Sequence, residues 1–288
     1  MSHKLLIAKD GIFPIIKDKD NQPLSTLPAT GINTAGTIQG EGKLMGIPCL
    51  FLRLSGCNLR CIWDLPNNNL SICDTAYTSF YEEEKESAPI TDILQIIRNN
   101  LGTINHLVIS GGEPIIQSKA LTELCKVLKS ETDIHITIET NGTLYNEELT
   151  KHIDLFSISP KLKNSIPTDK KLKQLQIEKN SGLFDAHEGR RINLKAIQDF
   201  IDKCTVRTVH DFQLKFVISK TSDIQEIESD FLSQLSGWRN EDILLMPTGG
   251  NAEELYLNNR TVLELCVKHG FRFAPRLHID LFGDKRNV

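Results

Sequence analysis

The 288-residue chain is 40% hydrophobic and 24% charged, the balance of a soluble globular protein able to bury a large core. A formal net charge of −4 argues against a nonspecific nucleic-acid binder. No apolar run is long enough to span a membrane and the N-terminus has no signal-peptide pattern, so the expected location is the cytoplasm.

In chain order, residues 1–30 read as an N-terminal extension containing a hairpin, with Lys9-Asp10-Gly11 between two apolar runs. The core begins near residue 31 and runs to 288. Residues 49–54 predict a strand, 91–101 a helix, and 106–110 the next strand. Then follow a helix at 118–128, strands at 135–139 and 155–158, and a helix at 194–204. A strand at 212–218, a helix at 222–235, a strand at 243–246 and a helix at 259–269 complete the series. The strands are nearly continuous in apolar residues, as parallel strands buried on both faces are. Their alternation with helices predicts right-handed βαβ units. The fold class is therefore α/β, a partial (β/α)6-type barrel, although periodicity alone does not separate it from a doubly wound sheet. Residues 162–192, after the fourth barrel strand, are polar and lysine-rich and read as an insertion, a lid or a mobile loop.

Seven cysteines without a signal peptide do not suggest a disulfide framework. Cys57, Cys61 and Cys73 are close together, while Cys49, Cys125, Cys204 and Cys266 fall in strand or helix patterns and suit packing. Cys57 and Cys61 lie on a glycine-containing loop just after a strand, where a barrel places its chemistry. Thiolates suit zinc or an iron–sulfur cluster, but zinc usually adds a second close pair, and none is present. Three thiolates on a cubane leave one iron open.

Three cysteines in this setting resemble the radical S-adenosylmethionine (SAM) superfamily, which usually spaces them by three and then two residues. Here nine residues, 64–72, separate Trp63 from Cys73-Asp74-Thr75. Removing them rejoins a tryptophan to Cys-Asp-Thr, an ending found in one branch of the superfamily. Pro66 and Asn67-Asn68-Asn69 make the insert read as a surface loop. Asp64 as the third ligand is an alternative, as are plain buried thiols.

Later motifs agree. Ser110-Gly111-Gly112-Glu113-Pro114, Glu139-Thr140-Asn141-Gly142-Thr143 and Ser159-Pro160-Lys161 each end a predicted strand. Thr37 to Gly42, Gly46 to Pro48 and Phe51 to Cys57 narrow the resemblance to the 7-carboxy-7-deazaguanine synthase family, over residues 31–161. That resemblance implies a radical SAM carbon–nitrogen lyase of 7-deazapurine (queuosine-type) biosynthesis. It implies conversion of 6-carboxy-5,6,7,8-tetrahydropterin to 7-carboxy-7-deazaguanine with loss of ammonia. The implied cofactors are a [4Fe–4S] cluster on Cys57, Cys61 and Cys73, SAM, and Mg²⁺ on Thr75.

By the same resemblance, SAM contacts fall to Cys73, Asp74, Gly111, Gly112, Glu113, Glu139, Ser159, Pro160 and Lys161. The pterin falls to Ile38, Gln39, Gly40, Arg53 and Ser110, with Arg53 and Thr75 as catalytic residues. Competing structural readings are a salt bridge for Arg53, a turn or helix cap for Thr75 and a solvated side chain for Lys161. Met246 stands where a glutamine is expected, and Arg276 and His278 are weaker candidates in the tail. A homodimer and a flavodoxin or ferredoxin electron donor are implied, with no nucleic-acid or membrane partner. The nearest rival is an activating enzyme that installs a glycyl radical on a partner protein.

Overall fold

The computed structural model describes residues 3–81 and 85–288. The chain opens with β1 (Lys4–Phe13), β2 (Thr37–Ile38), β3 (Pro48–Leu54), β4 (Ile62–Asp64), β5 (Leu70–Ile72) and β6 (Lys85–Pro89). Next come α1 (Ile90–Leu101), β7 (His106–Gly111), α2 (Ser118–Glu131), β8 (His135–Thr140), α3 (Glu147–Thr150) and β9 (Leu155–Ile158). They are followed by α4 (Asp169–Leu175), α5 (Leu183–Arg190), α6 (Leu194–Lys203), β10 (Asp211–Ile218) and α7 (Asp223–Glu226). The series ends with β11 (Ile243–Pro247), α8 (Ala252–His269), β12 (Arg272–Phe273) and α9 (Leu277–Phe282).

The main sheet runs β12-β11-β10-β9-β8-β7-β3-β1-β6, with β2 paired to β3. From β3 through β12 the neighbours are parallel, whereas β1 is antiparallel to both β3 and β6. The parallel part, with a helix after each long strand, is the expected partial-barrel architecture.

Period-two alternation divides these strands into two faces. Leu50, Leu52, Leu107, Ile109, Ile136, Ile138, Phe156, Leu214, Phe216 and Leu245 join the helices in one large core. The intervening positions carry Arg53, Ser110, Glu139, Ser157 and Lys215 onto the other face, where they line a cavity. The register sets Arg53 beside Ser110, and Glu139 beside Ser157.

The N-terminal hairpin is not formed at Lys9-Asp10-Gly11; the extension instead turns at 18–22, where Lys17 bridges Pro23 antiparallel. Residues 4–13 make one strand with a register shift between Ile7 and Ile12. Asp10 takes φ 53°, and a Cβ on Gly11 would lie 2.6 Å from the Arg53 carbonyl oxygen. The Asp-Gly pair forms a bulge that lets one strand bend while pairing on both sides. Nor is the 162–192 segment an unstructured loop. It contains α4 and α5, whose Leu172 and Phe184 pack on Ile62 and Phe80. Among the described residues no helix is long and apolar enough to cross a membrane.

Candidate active site

The pocket lies at the C-terminal ends of the parallel strands, where a barrel's loops converge. It encloses about 410 Å³ and is lined by all three clustered cysteines. Its wall also includes Ile38, Gln39, Gly40, Arg53, Asp74, Thr75, Ser110, Gly111, Gly112, Glu139, Ser159 and Lys161.

The separation of Cys61 from Cys73 is accommodated by extrusion. Residues 62–72 form an antiparallel hairpin in which Ile62 pairs with Ile72 and Asp64 with Leu70. Asn68 supplies the positive φ of the turn, 64°. The Cys73 amide therefore donates to the Cys61 carbonyl at 3.1 Å, so residues far apart in sequence become neighbours. Asp64 points away from the pocket wall and pairs with Lys171 at 3.1 Å. That pairing gives no support to Asp64 as the third ligand. The remaining cysteines, Cys49, Cys125, Cys204 and Cys266, are buried in apolar clusters as expected.

All seven cysteines are free thiols. Burial pushes Cys57 up to about 12 and raises Cys61 and Cys73 as well. Thiolate ligation must therefore displace protons, and metal binding is coupled to that release. Among the described residues no group of three or more His, Cys, Asp or Glu side chains is placed to hold a single metal ion. The three thiols stand around a shared wall instead, which suits a cluster whose irons each take one thiolate.

The cysteine loop is stitched to the neighbouring strand ends. Gly112 donates to the Leu54 carbonyl at 3.2 Å, and Glu113 donates its amide to the Gly56 carbonyl at 2.8 Å. A Cβ on Gly112 would come within 2.9 Å of the Cys57 Cβ, so glycine permits this approach. Asn58 donates to the Thr143 hydroxyl at 2.7 Å and accepts from Asn141 at 2.9 Å.

Arg53 has no carboxylate within ion-pair distance among the described residues. Its guanidinium lies 5.5 Å from the Phe13 ring and 5.8 Å from the Phe51 ring. It donates to the Ser110 hydroxyl at 3.3 Å, and its buried Nε has no partner among the described residues. A structural salt bridge does not account for it. Lys161 is comparable: it donates to Ser159 at 2.8 Å, lies 5.7 Å from the Trp63 ring, and has no carboxylate partner among the described residues. It lines the pocket, so a solvated surface lysine is also the wrong description. Thr75 precedes a short 3-10 turn but makes no side-chain cap. Its hydroxyl is 3.4 Å from the Cys73 sulfur and 3.5 Å from the Gly111 carbonyl oxygen.

Two expected contact residues lie elsewhere. Glu113 is fully buried behind the wall. It accepts from the Asn141 amide at 2.7 Å, the Thr140 hydroxyl at 2.8 Å and the Ile115 amide at 3.0 Å. Its carboxylate organises two turns and does not face the cavity. Burial raises its pKa despite these donors. Pro160 is likewise buried outside the lining. Glu139 does reach the pocket, but accepts from Ser110 at 2.6 Å and Gln39 at 3.4 Å, grouping it with those residues.

The lining also includes Lys215 and Glu41, which have no role in the sequence reading, and the weaker tail candidates Arg276 and His278. Lys215 and Arg276 both pair with half-buried Glu41, and Arg276 also pairs with Asp74. Despite desolvation, the two cations hold the Glu41 carboxyl far below its usual range. A lysine inside the apolar 212–218 run was the available signal for Lys215. His278 and the tail residues Gly283 to Val288 also line the cavity, and Met246 occupies the wall where a glutamine was expected.

Comparison with known proteins now adds identity to geometry. The profile of the Radical SAM superfamily matches residues 52–161. The 7-carboxy-7-deazaguanine synthase of Halobacterium salinarum is 36% identical over 264 residues, covering 89% of this chain and 92% of its own. The protein of the same name from Rhodopirellula baltica is 32% identical over 250 residues, covering 87% and 85%. The crystal structure of QueE from Escherichia coli shares the fold, with a TM-score of 0.59 at 21% identity, covering 96% and 95%.

Proposed function

The chain belongs to the 7-carboxy-7-deazaguanine synthase family of radical SAM enzymes, and from that premise we propose that it converts 6-carboxy-5,6,7,8-tetrahydropterin to 7-carboxy-7-deazaguanine with release of ammonia. The observation that carries the reading is a pair of pocket-lining cations, Arg53 and Lys161, without carboxylate partners among the described residues, beside three clustered thiols. The substrate and SAM each bring a carboxylate. Two such anions suit two such cations.

Cys57, Cys61 and Cys73 would hold the [4Fe–4S] cluster. When bound, the cluster and SAM supply the one-electron chemistry that starts the rearrangement. The protein's own task is position and charge. Lys161 would fix the SAM carboxylate, and Ser159 orients Lys161. The Gly111 carbonyl, which accepts one long bond from Thr75, would take the SAM ammonium on its second lone pair. Arg53 would hold the pterin carboxylate, with its plane set by the two phenylalanine rings. Ser110, Gln39 and Glu139, already bonded together, would read the pterin's polar edge, with Ile38 and Gly40 beside them. Thr75, whose hydroxyl makes long contacts with the Cys73 sulfur and the Gly111 carbonyl, would offer its oxygen to Mg²⁺, a cation that prefers oxygen. The same reading has a cytoplasmic homodimer reduced by a flavodoxin or ferredoxin. The glycyl-radical activase alternative gains nothing from the relatives, which carry the synthase name.

The test is anaerobic. The reconstituted protein is given reductant, SAM, Mg²⁺ and 6-carboxytetrahydropterin, and products are read by mass spectrometry. The expected result is 7-carboxy-7-deazaguanine. Methionine and 5′-deoxyadenosine alone would overturn the substrate assignment, and no SAM cleavage at all would overturn the chemistry.

A further inference from the structure

We propose that the 162–192 segment is a brace for the enlarged cysteine loop, and that His187 and Lys171 are positioning residues that hold the backbone on the two sides of Cys61. This rests on reading Cys61 as a cluster ligand. Inserting residues between Cys61 and Cys73 lengthens the loop that must be ordered, which costs conformational entropy. A ligand on such a loop needs a scaffold of its own.

The contacts fall on both neighbours of Cys61. The buried Arg60 amide donates to His187 Nδ1 at 3.1 Å. That bond fixes the imidazole tautomer, so its proton lies on Nε2, 3.3 Å from the Ser165 hydroxyl. Ser165 in turn donates to the Leu162 carbonyl at 2.7 Å. On the other side, the Lys171 ammonium donates to the Ile62 carbonyl at 2.7 Å and the Asn164 carbonyl at 2.6 Å. It also pairs with Asp64 at 3.1 Å, so its three protons meet three acceptors.

Both side chains are buried, at 0% exposure for His187 and 7% for Lys171. Burying such groups costs desolvation, which is tolerated when every polar atom has a partner in fixed geometry. Apolar packing closes the arrangement: Leu172 and Phe184 meet Ile62 and Phe80, with the two phenylalanine rings edge-on at 5.7 Å. Arg191 extends the brace, donating to the Lys161 carbonyl at 3.0 Å. The hairpin insert and the lysine-rich segment are therefore one device, the second supporting the first.

The test reads the loop directly. Hydrogen–deuterium exchange is followed on the full chain before reconstitution, in wild type, His187→Leu, His187→Gln and Lys171→Met. His187→Leu and Lys171→Met should speed exchange in residues 58–64 about tenfold, the equivalent of one lost hydrogen bond. Exchange in α1 and α8 should not change. His187→Gln should largely restore protection, because its amide oxygen can accept from the Arg60 amide. After reconstitution, Lys171→Met should move the cluster potential more negative, since a nearby cation that favours the reduced state is gone.

Unchanged exchange in 58–64, or a rise spread evenly over the chain, overturns the proposal. If His187→Leu or Lys171→Met does not fold, Ser165→Ala should still give a smaller local rise, and no local rise there also overturns it. The exchange readout needs no cluster. Full iron content in Cys61→Ala would therefore sink the ligand reading, whereas unchanged local exchange would sink the brace, and the two failures are distinguishable.

Discussion

Arg53 lies between Leu52 and Leu54, both completely buried, yet its own side chain faces the pocket. Family resemblance, together with a charge inside an apolar strand, singles it out in the sequence. Lys215 obeys the same rule on β10 but went unassigned, because its carboxylate, Glu41, comes from a distant loop. Replacing Arg53 with lysine keeps the charge and loses the planar fork. We expect kcat/KM for the pterin to fall about 10- to 100-fold, the value of a charge-assisted hydrogen bond. SAM cleavage without substrate should stay within about twofold of wild type. Equal loss of both activities would refute the assigned role. Glu113 is the converse case. Its motif was recognised, but its three donors include Thr140 and Asn141 from another strand end, which spacing along one strand does not disclose. Glu113→Gln puts an amide donor where a donor is already bound. It should cost about 1–3 kcal/mol in urea denaturation at neutral pH. Unaltered stability would mean the carboxylate does not organise the turns.

The long parallel strands were legible because they are buried on both faces and bounded by turns, so local pattern and tertiary environment agree. The misread elements are those in which one local signal serves two geometries. Asp10-Gly11 suits a hairpin turn, and here forms a bulge because β1 has partners on both edges. Asn67-Asn68-Asn69 reads as a loop and is the turn of the β4–β5 hairpin. Leu70 and Ile72 make that hairpin possible by packing toward α4 and α5, a contact across a hundred residues that periodicity cannot show. Asn68 tests the turn. Its positive φ is tolerated by asparagine and costs a β-branched residue about 1–2 kcal/mol. Asn68→Val should lower stability by that amount, and Asn68→Gly should leave it nearly unchanged. If the two variants melt alike, the turn geometry is different from that described.

Stability of the fold as a whole should respond to mild acid, starting at the end of the barrel away from the pocket. His106 and His135 begin the adjacent strands β7 and β8, with rings 4.8 Å apart and nearly perpendicular. His106 Nε2 bonds to the Thr137 hydroxyl at 2.8 Å, while Nδ1 of each ring is buried without a partner among the described residues. Burial, then the neighbouring His135, pushes His106 down to about 4, against the weaker opposing pull of Asp154. Lys129 pairs with Asp154 at 2.6 Å, which limits that pull. Above the ordinary histidine range near 6.5, neither the folded nor the unfolded chain protonates this ring, and stability is complete. As pH falls below it, the unfolded chain binds the proton and the folded chain does not, so stability declines until the folded pKa is reached. One such group removes about 1.4 kcal/mol by pH 5.5. His187, also pushed down to about 4, adds to the slope. The carboxyls of Asp211 and Asp242 are held below their usual range, so their contribution is lost only at lower pH. Urea denaturation of the chain without its cluster should therefore show a marked loss between pH 7.5 and 5.5. His106→Gln, which can still bond to Thr137, should reduce that loss by about 1.4 kcal/mol. The same pH dependence in variant and wild type would mean that His106 is already protonated in the folded protein or takes no part in the acid response.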